Sequence, residues 1–274
     1  MKHPFDREYF ESDCQTRGYV YEGYRDFFTH YKTAEIVYEY AKKHNCKKVL
    51  EVGAGRGELT RRLAEKAGLV IAVEIDPRLL GDLRRIAEEY PNVKVVAGDV
   101  LRIKPSGFNK VVSNPPYSIS LRLMEWLIDS RPELMVLTLQ REFASKLVAE
   151  PGSRKYLYIS VLSKLSYDSR IIGLIPRRFF NPPPKVDSAL IVMKLKEDAP
   201  QLKESWKRIL KTLFTRRRQK LRKVLRDLLL EAGETDEELD LLGEDMLSRR
   251  IYELEPSELL EVAGFLEKHL PSIS

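Results

Sequence analysis

The chain has little cysteine. Two occur in 274 residues, Cys14 and Cys46, in no C-x-x-C pattern, beside only four histidines. That count excludes a disulfide-stapled scaffold and leaves a structural zinc without ligands, so no metal is expected and a reducing compartment, the cytoplasm, is. Long hydrophobic runs are lacking too. None approaches the ~18 apolar residues of a membrane-spanning helix, and no membrane partner is expected. The opening segment MKHPFDREYFESD is charged throughout and has no apolar core, so no secretory leader is predicted. No internal repeat is visible. What is present is ordinary for a folded chain. Hydrophobic residues at 43% and aromatics at 9% exclude disordered and fibrous classes, and the length suits one domain with an appendage.

Charge is plentiful but unevenly placed. The chain carries 47 basic and 41 acidic side chains, a net +6 that alone says little about partners. From Lys203 to Arg226, however, eleven Lys or Arg face one acid, Glu204, so +10 sits in one stretch. From Asp227 to Glu267 fourteen acids face two arginines, or −12. The basic stretch is therefore a local feature and a candidate phosphate-backbone contact.

Four short Val- and Ile-rich runs follow one another: KKVLEVGAG (47–55), LVIAVEID (69–76), VKVVAGD (93–99) and KVVSNPPY (110–117). Helical periodicity fills 58–67 and 78–90 between the first three. Strand and helix in alternation predict a parallel sheet with crossover helices. The pattern continues as a helix over 120–129, a strand over 134–140 and a helix over 141–149. Further strands are expected at 159–167 and 186–196, flanking the Pro-rich segment IPRRFFNPPPK. Residues 1–32 read as an irregular aromatic arm, followed by a helix over 33–43. The tail reads as helices over 204–232, 235–243 and 256–269. The expected fold is α/β: a doubly wound, mostly parallel seven-stranded sheet over residues 1–198, with a small all-helical domain over 199–274.

Polar residues gather where these strands end. Glu51-Val52-Gly53-Ala54-Gly55-Arg56-Gly57 is G-x-G-x-G, not the G-x-G-x-x-G of a dinucleotide fold nor a P-loop. Its glycines let backbone pass close to a ligand that need not carry phosphate. Glu74 ends the second run, where a carboxylate can take both ribose hydroxyls, and Asp99 ends the third, where it can accept from an adenine amino group. Open α/β sheets place ligands at these carboxyl ends. Singly each acid reads as a surface group; together they fit S-adenosylmethionine, with Glu51, Gly53, Gly55, Glu74, Ile75, Asp99, Val100 and Asn114 as the expected cofactor-binding set.

Asn114-Pro115-Pro116-Tyr117 ends the fourth run and carries the chemistry. An adenine amino group is a poor nucleophile because its lone pair is delocalised into the ring. The Asn114 side-chain carbonyl and a backbone carbonyl of the Pro pair, at Pro116, can accept both amino hydrogens. Holding them out of plane aims a nucleophilic nitrogen at a methyl donor. Pro stiffens the turn, and Tyr117 offers a flat face to an extruded base.

With QREFASKLVAEPGSRKYLYISVL (140–162) and RRFFNPPPKVDSALIVMKL (177–195), this motif resembles the ribosomal RNA adenine dimethyltransferases, the kasugamycin-resistance type. The resemblance spans roughly 47–260 and includes FTRRRQKLRKVL (214–225) and SRRIYELEPSELLEVA (248–263), closest to archaeal members. It implies S-adenosylmethionine-dependent dimethylation of adenosine N6 in small-subunit ribosomal RNA or its precursor particle, by a monomer. It also implies that Phe180, in the F-x-P-x-P-x-V-D-S block, flanks the target base opposite Tyr117, and that Arg216, Arg217, Arg218, Lys220, Arg222 and Lys223 dock RNA. Two departures stand out. Tyr24 to His30 replaces the family's G-Q-[NH]-F-L-x-D, so no cofactor contact is carried over there. Pro115 replaces the usual Leu or Ile, and N-P-P-Y also occurs in DNA and protein-amide methyltransferases. Adenine methylation of another RNA or of DNA, and an assembly factor with lapsed catalysis, are the competing readings.

Overall fold

The Val- and Ile-rich runs become strands because both their faces are covered. The computed structural model describes residues 28–29, 47–177, 180–181 and 185–270, with backbone alone at 28–29 and 180–181. The arm and the helix expected over 33–43 lie outside these residues, Phe28–Thr29 excepted. Seven strands form one sheet: β1 (Lys48–Val52), β2 (Leu69–Glu74), β3 (Val93–Ala97), β4 (Lys110–Ser113), β5 (Leu134–Gln140), β6 (Tyr167–Ile175) and β7 (Ser188–Leu195). Their order is β3-β2-β1-β4-β5-β7-β6. Parallel pairing joins β1 with β2 and β4, β2 with β3, and β4 with β5, while β7 runs antiparallel to β5. The central strands β4 and β5 are buried almost end to end, as a sheet sandwiched between helices requires. Edge strand β3 is fully buried only at Val93.

Helices α1 (Glu58–Ala64) and α2 (Leu80–Glu89) cross between parallel strands. Leu59, Leu63, Leu83 and Ile86 pack with Val49, Val70, Val112 and Val136 in one apolar cluster. Each such side chain contributes roughly 1.5–3 kcal/mol through burial. A one-turn α3 (Val100–Ile103), α4 (Ser120–Ser130) and α5 (Arg141–Leu147) complete the crossovers.

The strand expected over 159–167 is instead a helix, α6 (Tyr158–Ser166), and the sixth strand is β6, one step later. Burial of Ile159, Val161 and Leu162 made this segment look like a buried strand. Its hydroxyls decide otherwise: Ser160 Oγ accepts the Leu157 N–H at 2.9 Å and donates to the Lys146 carbonyl at 2.5 Å, fixing a helix start. The polar sequence YDSRIIGLI suits β6 because it is an edge strand, with only its ends fully buried.

The chain divides into two compact units: residues up to Ala144 with Ser169–Leu195, and Ser145–Asp168 with Lys196 onward. The segment 145–168, read with the first domain from sequence, thus clusters with the tail. In the tail unit α7 (Glu204–Thr215), α8 (Leu221–Glu231), α9 (Glu244–Ser248) and α10 (Pro256–His269) follow α6. The single helix expected over 204–232 is broken at 216–220. There the backbone pairs across the chain, Ile251 N–H to the Gln219 carbonyl, Leu221 N–H to Arg249 and Tyr252 N–H to Arg217. The helix expected over 235–243 is a 3-10 turn, Glu237–Leu242, ended by Gly243 at φ 78°. Among the described residues no helix is long and apolar enough to cross a membrane.

Candidate active site

The turn from β1 into α1 bends over the end of β2: the N–H groups of Gly53 and Ala54 both donate to the Val73 carbonyl, at 2.9 and 3.1 Å. Gly53 has φ +69°, and a Cβ there would lie 2.9 Å from Pro116 Cδ, so only glycine lets this turn lie against the N-P-P-Y turn. Gly55, at φ +61°, has open space where a Cβ would stand. Its N–H donates to Glu74 Oε2 at 2.8 Å, and the Asp76 N–H donates to Glu74 Oε1 at 2.8 Å. Those two bonds pin the buried Glu74 carboxylate, and each oxygen keeps a lone pair for a ligand.

Glu51 is 2% exposed and accepts from Thr60 Oγ1 at 2.6 Å. Burial pushes its carboxyl up to about 8; the Thr60 hydrogen bond opposes this and the Glu74 charge adds to it. Beside it, Ser113 binds the β1 and β4 ends together, accepting from the Val52 N–H at 3.1 Å and donating to the Val52 carbonyl at 2.6 Å.

After Ser113 the chain turns through Asn114 and the buried Pro115, and Tyr117 starts a 3-10 turn held by Ser120 Oγ on the Tyr117 carbonyl at 2.9 Å. The Tyr117 hydroxyl makes a short hydrogen bond with Ser188 Oγ, the first residue of β7. Burial raises the Tyr117 pKa, with the Ser188 bond opposing it, so the phenol stays neutral. β7 is antiparallel to β5, and therefore brings its beginning to the edge where β4 and β5 end.

These turns enclose a cavity of about 420 Å³ whose wall includes Glu51, Gly53, Gly55, Glu74, Asn114, Pro116 and Tyr117. That volume is the size of a small-molecule site. Ile75, Asp99 and Val100 of the expected set are not on its wall. Ile75 stands 62% exposed beside Glu74, Val100 is buried, and Asp99 caps α3 by accepting the Leu101 N–H at 2.9 Å. Phe180 lies in a two-residue strand with Asn181, paired antiparallel to Phe28–Thr29, and its side chain lies outside the described residues. Sequence reasoning missed Thr60, Ser113 and Ser188. Only the V-D-S run marks Ser188; lone hydroxyls elsewhere carry no pattern.

The basic tail resolves into two kinds of residue. Arg216 pairs with Asp227 at 3.4 Å and Glu231 at 3.2 Å, and Arg222 pairs with Asp240 at 3.0 Å and with Glu244. Arg217 donates to the carbonyls of Arg154 and Tyr156, at 3.1 and 2.8 Å. Arg218, Lys220 and Lys223 are exposed and form no ion pair with a described residue.

A sheet ordered β3-β2-β1-β4-β5-β7-β6, with its cavity at the carboxyl ends of the parallel strands, defines a Rossmann-like methyltransferase. The family model for ribosomal RNA adenine dimethylase matches residues 26–247, and the chain belongs to that family of rRNA-methylating enzymes. A probable ribosomal RNA small subunit methyltransferase A of Methanopyrus kandleri is 39% identical, over 86% of this chain and 88% of its own length. The protein of that name from Methanothermobacter thermautotrophicus is 38% identical over 84% of this chain and 85% of its own. Among solved structures, a dimethyladenosine transferase from Plasmodium falciparum is 28% identical with a TM-score of 0.75, covering 85% of this chain and 95% of that one. The 23S rRNA methyltransferase ErmE is 27% identical with a TM-score of 0.64, covering 88% of this chain and all of that one.

Proposed function

We propose that this enzyme uses S-adenosylmethionine to dimethylate the N6 amino group of adenosines in small-subunit ribosomal RNA. The names of the archaeal relatives support the small-subunit assignment. The donor set supports the cofactor. Open space over Gly55 admits a ligand backbone, Glu74 retains lone pairs for ribose hydroxyls, and buried Glu51 suits a cationic amino group. Bound there, S-adenosylmethionine supplies an electrophilic methyl on a sulfonium.

The observation that carries the reading is the fixed Tyr117: its hydroxyl is tied to Ser188, and the residue lines the same cavity as Asn114. A stacked adenine is thereby presented to the Asn114 carbonyl and a Pro-pair carbonyl. Accepting the two amino hydrogens leaves the nitrogen lone pair free to form the new N–C bond as the C–S bond breaks. The nitrogen then passes one proton to solvent, and a second round needs one remaining N–H. Phe180 supplies the other stacking face, and Arg218, Lys220 and Lys223 serve as phosphate contacts.

The test supplies labelled S-adenosylmethionine with immature small subunits, naked ribosomal RNA, tRNA or duplex DNA, followed by digestion. Dimethyladenosine from the small-subunit samples alone is expected. Label in tRNA or DNA, or none at all, overturns the substrate assignment.

A further inference from the structure

Ser188 is wholly buried, and its hydroxyl holds the outer end of the Tyr117 side chain. It is also the first residue of β7, paired with Gln140, the last residue of β5, so the ladder that places it stops there. The end of a strand opens more readily than its middle, because a neighbouring pair supports it on one side alone. What fixes the backbone just before Ser188 therefore bears on how firmly Tyr117 is held.

Asp187 is that residue, and it is exposed yet bonded on two sides. Its main-chain carbonyl accepts the Arg141 N–H at 3.0 Å, at the start of α5. Its side-chain Oδ1 accepts the Arg177 N–H at 3.0 Å, two residues past the end of β6. Any residue supplies the first bond. The second needs a short side chain with a carbonyl-type oxygen, which Asp and Asn share. Three segments thus meet at Asp187: the junction of β5 with α5, the turn after β6, and the entry to β7. Asp187 is not among the described residues of the cavity wall, so it reaches the site only through what it holds.

We propose that Asp187 is a positioning residue for Tyr117: by tying the entry of β7 to the turn after β6, its side chain keeps Ser188 where the two hydroxyls meet. This rests on Tyr117 as a stacking face for the target adenine. The bond is to a backbone N–H, so it is the acceptor oxygen that the role requires. RNA affinity comes largely from phosphate contacts, so a loosened Tyr117 slows turnover at saturating RNA and leaves KM alone.

The experiment compares wild type, Asp187→Ala, Asp187→Asn, Ser188→Ala, Tyr117→Ala and the Asp187→Ala/Ser188→Ala pair. It measures kcat and KM on immature small subunits, S-adenosylmethionine affinity and thermal midpoint. Asp187→Ala is expected to lose about tenfold in kcat, the scale of one hydrogen bond, with KM, cofactor affinity and midpoint close to wild type. Asp187→Asn is expected to turn over like wild type. In the Ser188→Ala background, Asp187→Ala is expected to cost nothing further. Wild-type turnover by Asp187→Ala beside impaired Ser188→Ala and Tyr117→Ala overturns the Asp187 role alone, and so does a lowered midpoint with kcat unchanged. A loss in Asp187→Asn as large as in Asp187→Ala overturns the acceptor account. An equal loss from Asp187→Ala in both backgrounds overturns its action through Ser188. Wild-type turnover by Tyr117→Ala overturns the underlying reading of Tyr117 itself.

Discussion

Glu51 and Glu74 line one cavity, and the burial of Glu51 has measurable consequences. Glu51 is raised from 4.5 to about 8, so the folded protein keeps a proton that the unfolded chain releases. Its contribution to stability is therefore full below about 4.5 and is lost as pH rises through about 8. A cationic group bound against Glu51 favours the ionised form, so cofactor binding releases a proton. Affinity for S-adenosylmethionine is expected to rise with pH up to about 8, by at most tenfold per unit, and Glu51→Gln is expected to flatten that dependence. Calorimetric titrations at several pH values, in buffers of differing ionisation heat, read both effects. Glu74 is held by two backbone N–H groups, and losing its bonds to ribose should cost roughly 1.5–3 kcal/mol. Glu74→Ala is thus expected to bind S-adenosylmethionine about tenfold or more weakly; unchanged calorimetric affinity would sink that placement.

Elements decide which arginines are structural. Arg217 is half-buried and holds two carbonyls of the loop before α6, whereas the adjacent Arg218 is exposed. Arg217→Ala is therefore expected to destabilise by about 2 kcal/mol, lowering the thermal midpoint by roughly 4–8 °C, while Arg218→Ala leaves it unchanged. Differential scanning calorimetry separates them. No sequence pattern distinguishes these neighbours, because the carbonyls that engage Arg217 lie over sixty residues away. Where a strand is buried almost throughout, as in β1 and β2, the Val- and Ile-rich run announces it, and the glycines after β1 and the acid that ends β2 mark the cavity wall. The segment 159–167 reads as a strand but is helix α6, and edge strand β6 escapes the sequence pattern, because a short apolar run does not distinguish a buried helix from a buried strand. The Ser160 bonds that select the helix depend on the Lys146 carbonyl, fourteen residues back. Thr60 and Ser113 were illegible for the same reason: each acts through a partner that folding supplies.

At the scale of the molecule, the +10 of residues 203–226 is not all available to RNA, since Arg216 and Arg222 spend their charge on tail acids. Replacing Arg218, Lys220 and Lys223 by Gln is expected to weaken RNA binding across sequences and to flatten its log–log salt slope by about 0.7–0.9 per lost contact. Binding isotherms over a salt series test this, and a slope equal to wild type would move the docking surface elsewhere. The position of β7 has a consequence in time. Among the described residues, β6 has β7 as its only sheet neighbour, and Tyr117 takes its hydroxyl partner from β7. Both are synthesised before that strand exists. As the nascent chain lengthens at about 5–20 residues per second, β6 waits without a ladder and Tyr117 without its anchor. The cavity wall at Tyr117 is therefore unfinished until the thirteen residues that follow Ile175, up to Ser188, have been added.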